Sequence, residues 1–381
     1  MNNIHTLTLA HHWLIAERGG EKVLQSFSTL FPQATLYTLV ATDDQDRFGS
    51  WLSGHSVIAS PLQRFPAVER RYKALLPFFP WALKRLKVKQ GTKLLLSSDA
   101  SVVKGMQIPE GCLHVCYCHS PPRYLWSMQE TYLKQSSGLG AFGRLVFKAV
   151  TPYVRSFDHK AAQRVDHFIA NSNFVAERIK RCYGKDSTVI YPPVATDDFI
   201  YSSEKGDFYL VVSELVPYKR IDIAVEAFNQ NGKRLLIIGS GSELEYLKSI
   251  AQPNVEFLGR APFQTLKEAY SKCRAFIFPG IEDFGITPLE AQSSGTPVIA
   301  YGEGGALETV INAETGLFFD SQTADALVEA VARFEGMQFD SLACRRQAER
   351  FSEPRFRQEI KDFLVKVAPD ALEGYEWPAI D

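Results

Sequence analysis

The chain has 381 residues, 45% hydrophobic and 22% charged, which suits a globular protein of two or three domains. No run reaches the roughly 18 apolar residues of a spanning helix, and the start MNNIHTLTLAHHWL lacks a basic n-region, so neither a membrane span nor a signal peptide is expected. The six cysteines form no C-x-x-C pair and read as buried thiols in a reducing compartment. The net charge of −1 hides an asymmetry: residues 1–190 hold 24 Lys+Arg and 13 Asp+Glu, and residues 191–381 hold 18 and 30. The first half, at +11, should attract an anionic partner.

Thr6–Leu9 reads as a strand, and Ala16-Glu17-Arg18-Gly19-Gly20 leads into a helix over Glu21–Phe31. The Gly19-Gly20 pair suits either a phosphate-binding helix start or a tight turn. Residues 62–93 carry nine basic residues, among them Arg64, Arg70, Arg71, Lys73, Lys84, Arg85 and Lys87, against one acid, Glu69. Phe65, Tyr72, Phe78, Phe79 and Trp81 are interleaved, and Pro77 and Pro80 break the segment into two short helices. An anionic bilayer surface and a plain basic surface both fit it. No nucleic-acid partner is expected, because no recognised binding module accompanies the patch. Lys93–Ser97 and Leu113–Cys118 read as buried parallel strands. The second ends in His119-Ser120-Pro121-Pro122-Arg123, where His119 suits a pocket or a structural role and Arg123 an anion. A helical region over Gly138–Arg164 contains Pro152; strand Val165–Ala170, helix Phe174–Tyr183 and strand Ser187–Tyr191 follow. The domain boundary falls at Tyr191-Pro192-Pro193-Val194, where the composition turns acidic.

The second half alternates strand and helix, which implies a doubly wound parallel sheet. Its expected strands are Phe208–Ser213, Arg234–Ile238, Val255–Leu258, Ala275–Phe278, Pro297–Ala300 and Gly316–Phe319. The expected helices are Ile221–Asn229, Leu266–Lys272, a run ending at Ser293-Ser294-Gly295, Ala324–Phe334 and 339–367. In such a sheet the loops after the strands gather at one edge. That edge would hold Lys219, Arg220, Gly239, Gly241, Glu282, Gly285, Glu290 and Gly302–Gly305. Lys and Arg suit phosphates, glycines suit close backbone approach, and a helix-borne Glu suits ribose hydroxyls. Alone, Glu282 and Glu290 would read as surface acids. The Asp44-Gln45-Asp46 triplet imitates a metal-binding D-x-D but lies in an early acidic loop, and no metal site is assigned to it. A nicotinamide enzyme is disfavoured, because Leu244 stands at the third glycine position of the fingerprint.

The chain resembles the retaining nucleotide-sugar glycosyltransferases of family 4, and in particular the bacterial O-antigen mannosyltransferase branch. The residues concerned are Val216-Pro217-Tyr218-Lys219-Arg220-Ile221-Asp222, Gly239-Ser240-Gly241, Glu282-Asp283-Phe284-Gly285-Ile286 through Glu290, Gly302-Glu303-Gly304-Gly305 and Thr315-Gly316-Leu317. Cys118 through Trp126, Ile169 through Asn173 and Tyr191-Pro192-Pro193-Val194 extend the likeness into the first half. The resemblance implies an α/β GT-B fold, two Rossmann-like domains whose parallel sheets face across a cleft. Residues 1–192 would form the acceptor- and membrane-facing domain, 193–367 the nucleotide-sugar domain, with the tail 368–381 crossing back. It implies mannose transfer from GDP-mannose to an undecaprenyl-diphosphate-linked glycan in lipopolysaccharide O-antigen synthesis, with an α-1,3 linkage and no metal cofactor. The enzyme would be cytoplasmic, peripheral on the anionic inner-membrane surface.

The site roles follow from the same resemblance. His119 would stand by the transferred sugar, and Glu282 with the backbone N–H groups of Phe284, Gly285, Ile286 and Thr287 would contact it. Lys219, with Arg220, would neutralise the diphosphate, Glu290 would hold the ribose, Arg260 would lie near the base, and Gly19, Gly20, Gly239 and Gly241 would approach the donor. Arg64, Arg70, Arg71, Lys73, Lys84, Arg85, Lys87 and Arg123 would serve acceptor or membrane. One departure stands out: Glu214 occupies a position where the family often has Arg, so it must point away from the diphosphate or Arg220 must compensate.

Overall fold

The computed structural model describes residues 6–129 and 140–380. The chain divides into two units, Met1–Pro193 with Pro354–Asp381, and Val194–Glu353. The first unit is built on seven parallel strands in the order β3-β2-β1-β4-β5-β6-β7. They are β1 (Leu7–His11), β2 (Thr35–Thr38), β3 (Val57–Ala59), β4 (Leu94–Asp99), β5 (Leu113–Cys118), β6 (His167–Ala170) and β7 (Ser187–Val189). Its main helices are α1 (Gly19–Leu30), α2 (Phe79–Arg85), α3 (Gly140–Gln163) and α4 (Asn173–Tyr183). The central strands are apolar on both faces because helices cover both. Leu7, Leu9, Leu94 and Leu96 pack with Val23, Leu24, Phe27 and Leu30 of α1. Ala10 and Leu95 pack on the opposite face with Phe79, Ala82 and Leu83 of α2.

The second unit has six parallel strands in the order β10-β9-β8-β11-β12-β13. These are β8 (Phe208–Val212), β9 (Arg234–Ile238), β10 (Val255–Gly259), β11 (Phe276–Phe278), β12 (Val298–Tyr301) and β13 (Gly316–Phe319). Its helices are α5 (Ile221–Asn231), α6 (Leu244–Ile250), α7 (Phe263–Lys272), α8 (Ile286–Ser293), α9 (Ala324–Glu335) and α10 (Ser341–Glu349). Tyr209, Val211, Ile277 and Ile299 join the core beneath α5 and α9, while Leu210, Phe276, Phe278 and Val298 join the one beneath α7 and α8. Every named pair of neighbouring strands is parallel. The loops after them therefore lie at one edge of each sheet.

Four features differ from the sequence reading. Strands β2 and β3 enlarge the first sheet, and α6 fills the stretch after β9. The single helix expected over 339–367 is two, α10 and α11 (Glu353–Val367). The break has a cause: the Phe351 carbonyl accepts the Val194 N–H at 2.9 Å, and Val194 bridges Ser352, so this backbone is paired outside any helix. Finally, the chain returns to the first unit at Pro354, not at residue 368. On α11, Phe356, Ile360 and Leu364 recur every fourth residue, are fully buried, and pack with Leu9, Phe27 and Tyr117. Each such side chain contributes about 1.5–3 kcal/mol, which ties α11 to the first core. The helix α3 continues through Pro152; the beginning expected for it at Gly138 lies outside the described residues.

Candidate functional site

In the second unit the glycine loop after β9 is set by the protein's own backbone. A Cβ on Gly239, whose φ is 149°, would lie 1.8 Å from the Ser213 carbonyl oxygen, and one on Gly241 would lie 2.1 Å from that of Leu215. Leu215 in turn donates to Ser240 and accepts from Glu243, both at 3.0 Å, so the two loops are laced together. Arg260, just past β10, donates from Nε to Ser240 Oγ at 2.9 Å and so lies beside this loop. We expect Gly241→Ala to cost about 1–3 kcal/mol by overpacking and to remove any melting-temperature rise induced by a nucleoside diphosphate. A variant with unchanged stability and an unchanged nucleotide shift would refute this reading.

Lys219 ends the short turn Pro217–Lys219 after β8, and Glu282 lies in the loop after β11. Their side chains form an ion pair and line a small pocket with Ser213 and Gly280. A Cβ on Gly280 would lie 2.8 Å from the Lys219 carbonyl oxygen, so glycine permits this close approach. The Glu282 loop is itself held by the loop after β12. Gly305 N–H donates to the Glu282 carbonyl at 2.9 Å, and a Cβ on Gly305 would lie 2.2 Å from the Phe284 carbonyl oxygen. Gly285, with φ 91°, caps the start of α8. Ile286 and Thr287 thus stand in its first turn, where N–H groups point outward and the helix dipole favours an anion. Phe284 turns its ring into the core against Phe351, with centroids 5.7 Å apart. Glu290 on α8 accepts the Tyr270 hydroxyl proton at 3.0 Å.

The cations divide. The Arg220 guanidinium is held by Asp222 through contacts of 3.0–3.1 Å, whereas Lys219 faces Glu282. Glu214 is exposed.

In the first unit His119, one residue past β5, belongs to a group that sequence reading did not assemble. His11 Nδ1 lies 3.0 Å from Ser98 Oγ, and His119 Nε2 lies 2.7 Å from the same oxygen. His11 Nε2 lies 3.3 Å from Glu21 Oε1, while Glu21 Oε2 accepts the Arg18 N–H at 2.9 Å. His12 Nδ1 stands 3.4 Å from the Ser98 carbonyl. Burial pushes His11, His12 and His119 down to about 3, so all three imidazoles are neutral. Burial also raises the Glu21 carboxyl, opposed by His12, by hydrogen bonds and by His119. Gly19 and Gly20 open α1, and a Cβ on Gly20 would lie 3.5–3.6 Å from the rings of His11, His12 and His119. Among the described residues His11, His12 and Glu21 also form a group able to approach a metal, but both ring nitrogens of His11 and both Glu21 oxygens already have hydrogen-bonding partners. The only local signal was the pair of histidines after the first strand and the Glu after the glycines.

Below this group lies a buried charge triad. Lys104 Nζ is 2.6 Å from Asp158 Oδ1 and 3.2 Å from Asp99 Oδ2, and it donates to the Ser101 carbonyl at 2.9 Å. Asp158 Oδ2 accepts from Trp126 Nε1 and the Tyr183 hydroxyl at 2.8 and 2.7 Å. Burial alone would lower the Lys104 ammonium, but Asp158 and Asp99 outweigh it and hold it well above its ordinary value.

Arg64, Arg70, Arg71, Lys73, Lys84, Arg85 and Lys87 are all exposed. The interleaved aromatics separate: Tyr72 and Phe79 turn into the core, whereas Phe65, Phe78 and Trp81 are 43%, 49% and 40% exposed. The Arg85 guanidinium stacks 4.5 Å over the Trp81 ring. Beside them a cavity of about 510 Å³ is lined by Arg64, Arg85 and Lys87 with Tyr37, Ile58 and Gln63. Arg123 stands apart from this face in sequence, opening the turn of helix Arg123–Trp126 after β5. Asp44 lies 3.7 Å from Arg47; the side chains of Gln45 and Asp46 lie outside the described residues.

Two Rossmann-like units with parallel sheets make up the GT-B fold. Anabaena HepE in complex with UDP shares this fold, with a TM-score of 0.67 and 15% identity over 94% of this chain and 100% of that one. So does sucrose-phosphate synthase from Thermosynechococcus elongatus, with a TM-score of 0.69 and 20% identity over 96% and 99%. Residues 19–198 match the model described as Glycosyltransferase Family 4, and residues 195–351 match Glycosyl transferases group 1. The chain belongs to the family 4 glycosyltransferases. It is 32% identical to the O-antigen chain mannosyltransferase RfbU of Salmonella typhimurium over 39% of this chain and 45% of that protein. It is 29% identical to the GDP-mannose-dependent alpha-(1-6)-phosphatidylinositol monomannoside mannosyltransferase of Mycobacterium tuberculosis, over 50% and 58%. The chain spans about half the length of the curated relatives it matches.

Proposed function

We propose that this protein transfers mannose from GDP-mannose, with retention, to a sugar hydroxyl of an undecaprenyl-diphosphate-linked O-antigen glycan, forming an α-1,3 linkage. The observation that carries the reading is the Lys219–Glu282 pair beside the start of α8, in a chain similar to GDP-mannose-dependent and O-antigen mannosyltransferases. Lys219 and the first-turn N–H groups of α8 stabilise the leaving diphosphate without a divalent metal. Glu282 and His119 contact the transferred sugar, and Glu290 holds the ribose. The bond from the anomeric carbon to phosphate oxygen breaks, the bond to the acceptor oxygen forms on the same face, and the acceptor proton passes to the leaving phosphate. Thermal shifts with GDP, UDP and ADP, followed by transfer from labelled GDP-mannose to a lipid-linked acceptor, test the proposal. GDP should give the largest shift, because a ligand stabilises the folded state in proportion to its affinity. A larger shift with UDP or ADP, or no transfer from GDP-mannose, would refute it.

The exposed Phe65, Phe78 and Trp81 among exposed cations support docking on an anionic cytoplasmic membrane surface. No helix among the described residues is long and apolar enough to cross a membrane. Changing these three aromatics to Ser should weaken sedimentation with phosphatidylglycerol vesicles, and raised salt should weaken it further. Equal sedimentation of variant and wild type would remove this part of the proposal.

A further inference from the structure

Ser98 Oγ stands between two neutral imidazoles, and a hydroxyl has one proton to donate. If it donates to His11 Nδ1, it accepts from His119 Nε2; if it donates to His119, it accepts from His11. The choice passes outward through His11, whose Nε2 meets Glu21. An ionised Glu21 only accepts, so it requires the proton on His11 Nε2. That leaves Nδ1 of His11 bare, draws the Ser98 proton to it, and requires the proton of His119 on Nε2. A protonated Glu21 can reverse every step and place the His119 proton on Nδ1.

We infer that Glu21, acting through His11 and Ser98, fixes which nitrogen of His119 carries its proton, and that the ionised form leaves His119 Nδ1 as a bare acceptor. Glu21 is thereby a positioning residue at the third position of α1. There the positive helix end and the Arg18 N–H both favour its carboxylate. The other titratable groups facing the relay are His12 beside His11, Tyr117 on β5 with its ring 5.3 Å from that of His119, and Asp99 on β4, itself bound to Lys104. The four-group relay lies wholly within the first unit. Its bearing on sugar transfer rests on the role proposed above for His119; its existence does not.

The test is long-range proton–nitrogen NMR on the full chain labelled at histidine nitrogen, near pH 7.5. The wild type should show His119 as one tautomer, with a protonated Nε2 and a bare Nδ1. Glu21→Gln, which can either donate or accept, should release His119 into a mixture. Ser98→Ala should do the same while leaving His11 tied to Glu21, and melting curves identify any variant that has not folded. If wild-type His119 carries its proton on Nδ1 near pH 7.5, or if both folded variants keep the wild-type tautomer, the relay is refuted. In the transfer assay kcat should fall about tenfold or more in both variants, with KM for the donor nearly unchanged. A wild type inactive with GDP-mannose would refute the proposed function while the spectra still decide the relay.

Discussion

Lys219→Met should lower kcat/KM for the sugar nucleotide by about 10²–10³-fold, as loss of one preorganised charge at a developing anion does. The lysine ends an outlying turn and faces Glu282, with the two side chains 20% and 14% exposed. Removing it deletes the cation and leaves the Glu282 carboxylate to repel an incoming diphosphate. The turn itself is held by the Lys219 and Arg220 N–H groups donating to the Val216 and Pro217 carbonyls, so the melting temperature should change little. Glu282→Gln removes the carboxylate charge but keeps the shape; nucleotide diphosphate should still bind while transfer falls. Activity within a few-fold of wild type in both variants would mean that the donor does not bind here.

The second large effect lies in stability. Lys104→Met should cost about 3–5 kcal/mol, the usual penalty for breaking a buried ion pair from one side. Two carboxylates, Asp99 and Asp158, would remain with no buried cation between them; their side chains and that of Lys104 are at most 1% exposed. The loss should depend on pH. Without the ammonium both carboxyl groups would titrate higher folded than unfolded, so stability would fall as pH rises through the folded values. Denaturation of variant and wild type near pH 5 and pH 8 reads this out, with the larger difference at pH 8. Adding Asp99→Asn and Asp158→Asn should restore part of the loss, since neutral amides can be buried at lower cost. An unchanged melting temperature for the single variant would show that the triad is not closed in solution.

The second unit was readable because its central strands are buried on both faces. Phe276-Ile277-Phe278 and Val298-Ile299-Ala300 show as unbroken apolar runs ending at glycine loops. Once the strands were placed, the parallel topology brought Lys219, Glu282 and Glu290 to one sheet edge. Short strands such as Thr35–Thr38 gave no such signal, because half of that run is threonine. The histidine relay and the Lys104 triad were beyond reach for another reason. His11 and Ser98 are 87 residues apart, and Lys104 and Asp158 come from different elements; no local spacing marks such pairs. The basic segment leaves a bilayer surface and a plain basic surface both open in sequence, because nothing local marks which aromatics burial sends inward, as it does Tyr72 and Phe79. The glycines at 239 and 241 were assigned to a ligand's approach, yet what they first accommodate is the neighbouring backbone.

The return of the chain at Pro354 has a consequence for biosynthesis. A ribosome makes the first unit's sheet before the second unit but supplies Phe356, Ile360 and Leu364 only after the second unit is complete. Trp377, which packs 5.4 Å from Phe31, arrives later still. The nascent sheet must therefore wait, its α1 face incompletely covered, while the whole of the second unit emerges and can close its own core. The unit that is begun first is finished last, and a ribosome stalled just past the second crossing would release a complete second unit joined to an unfinished first one.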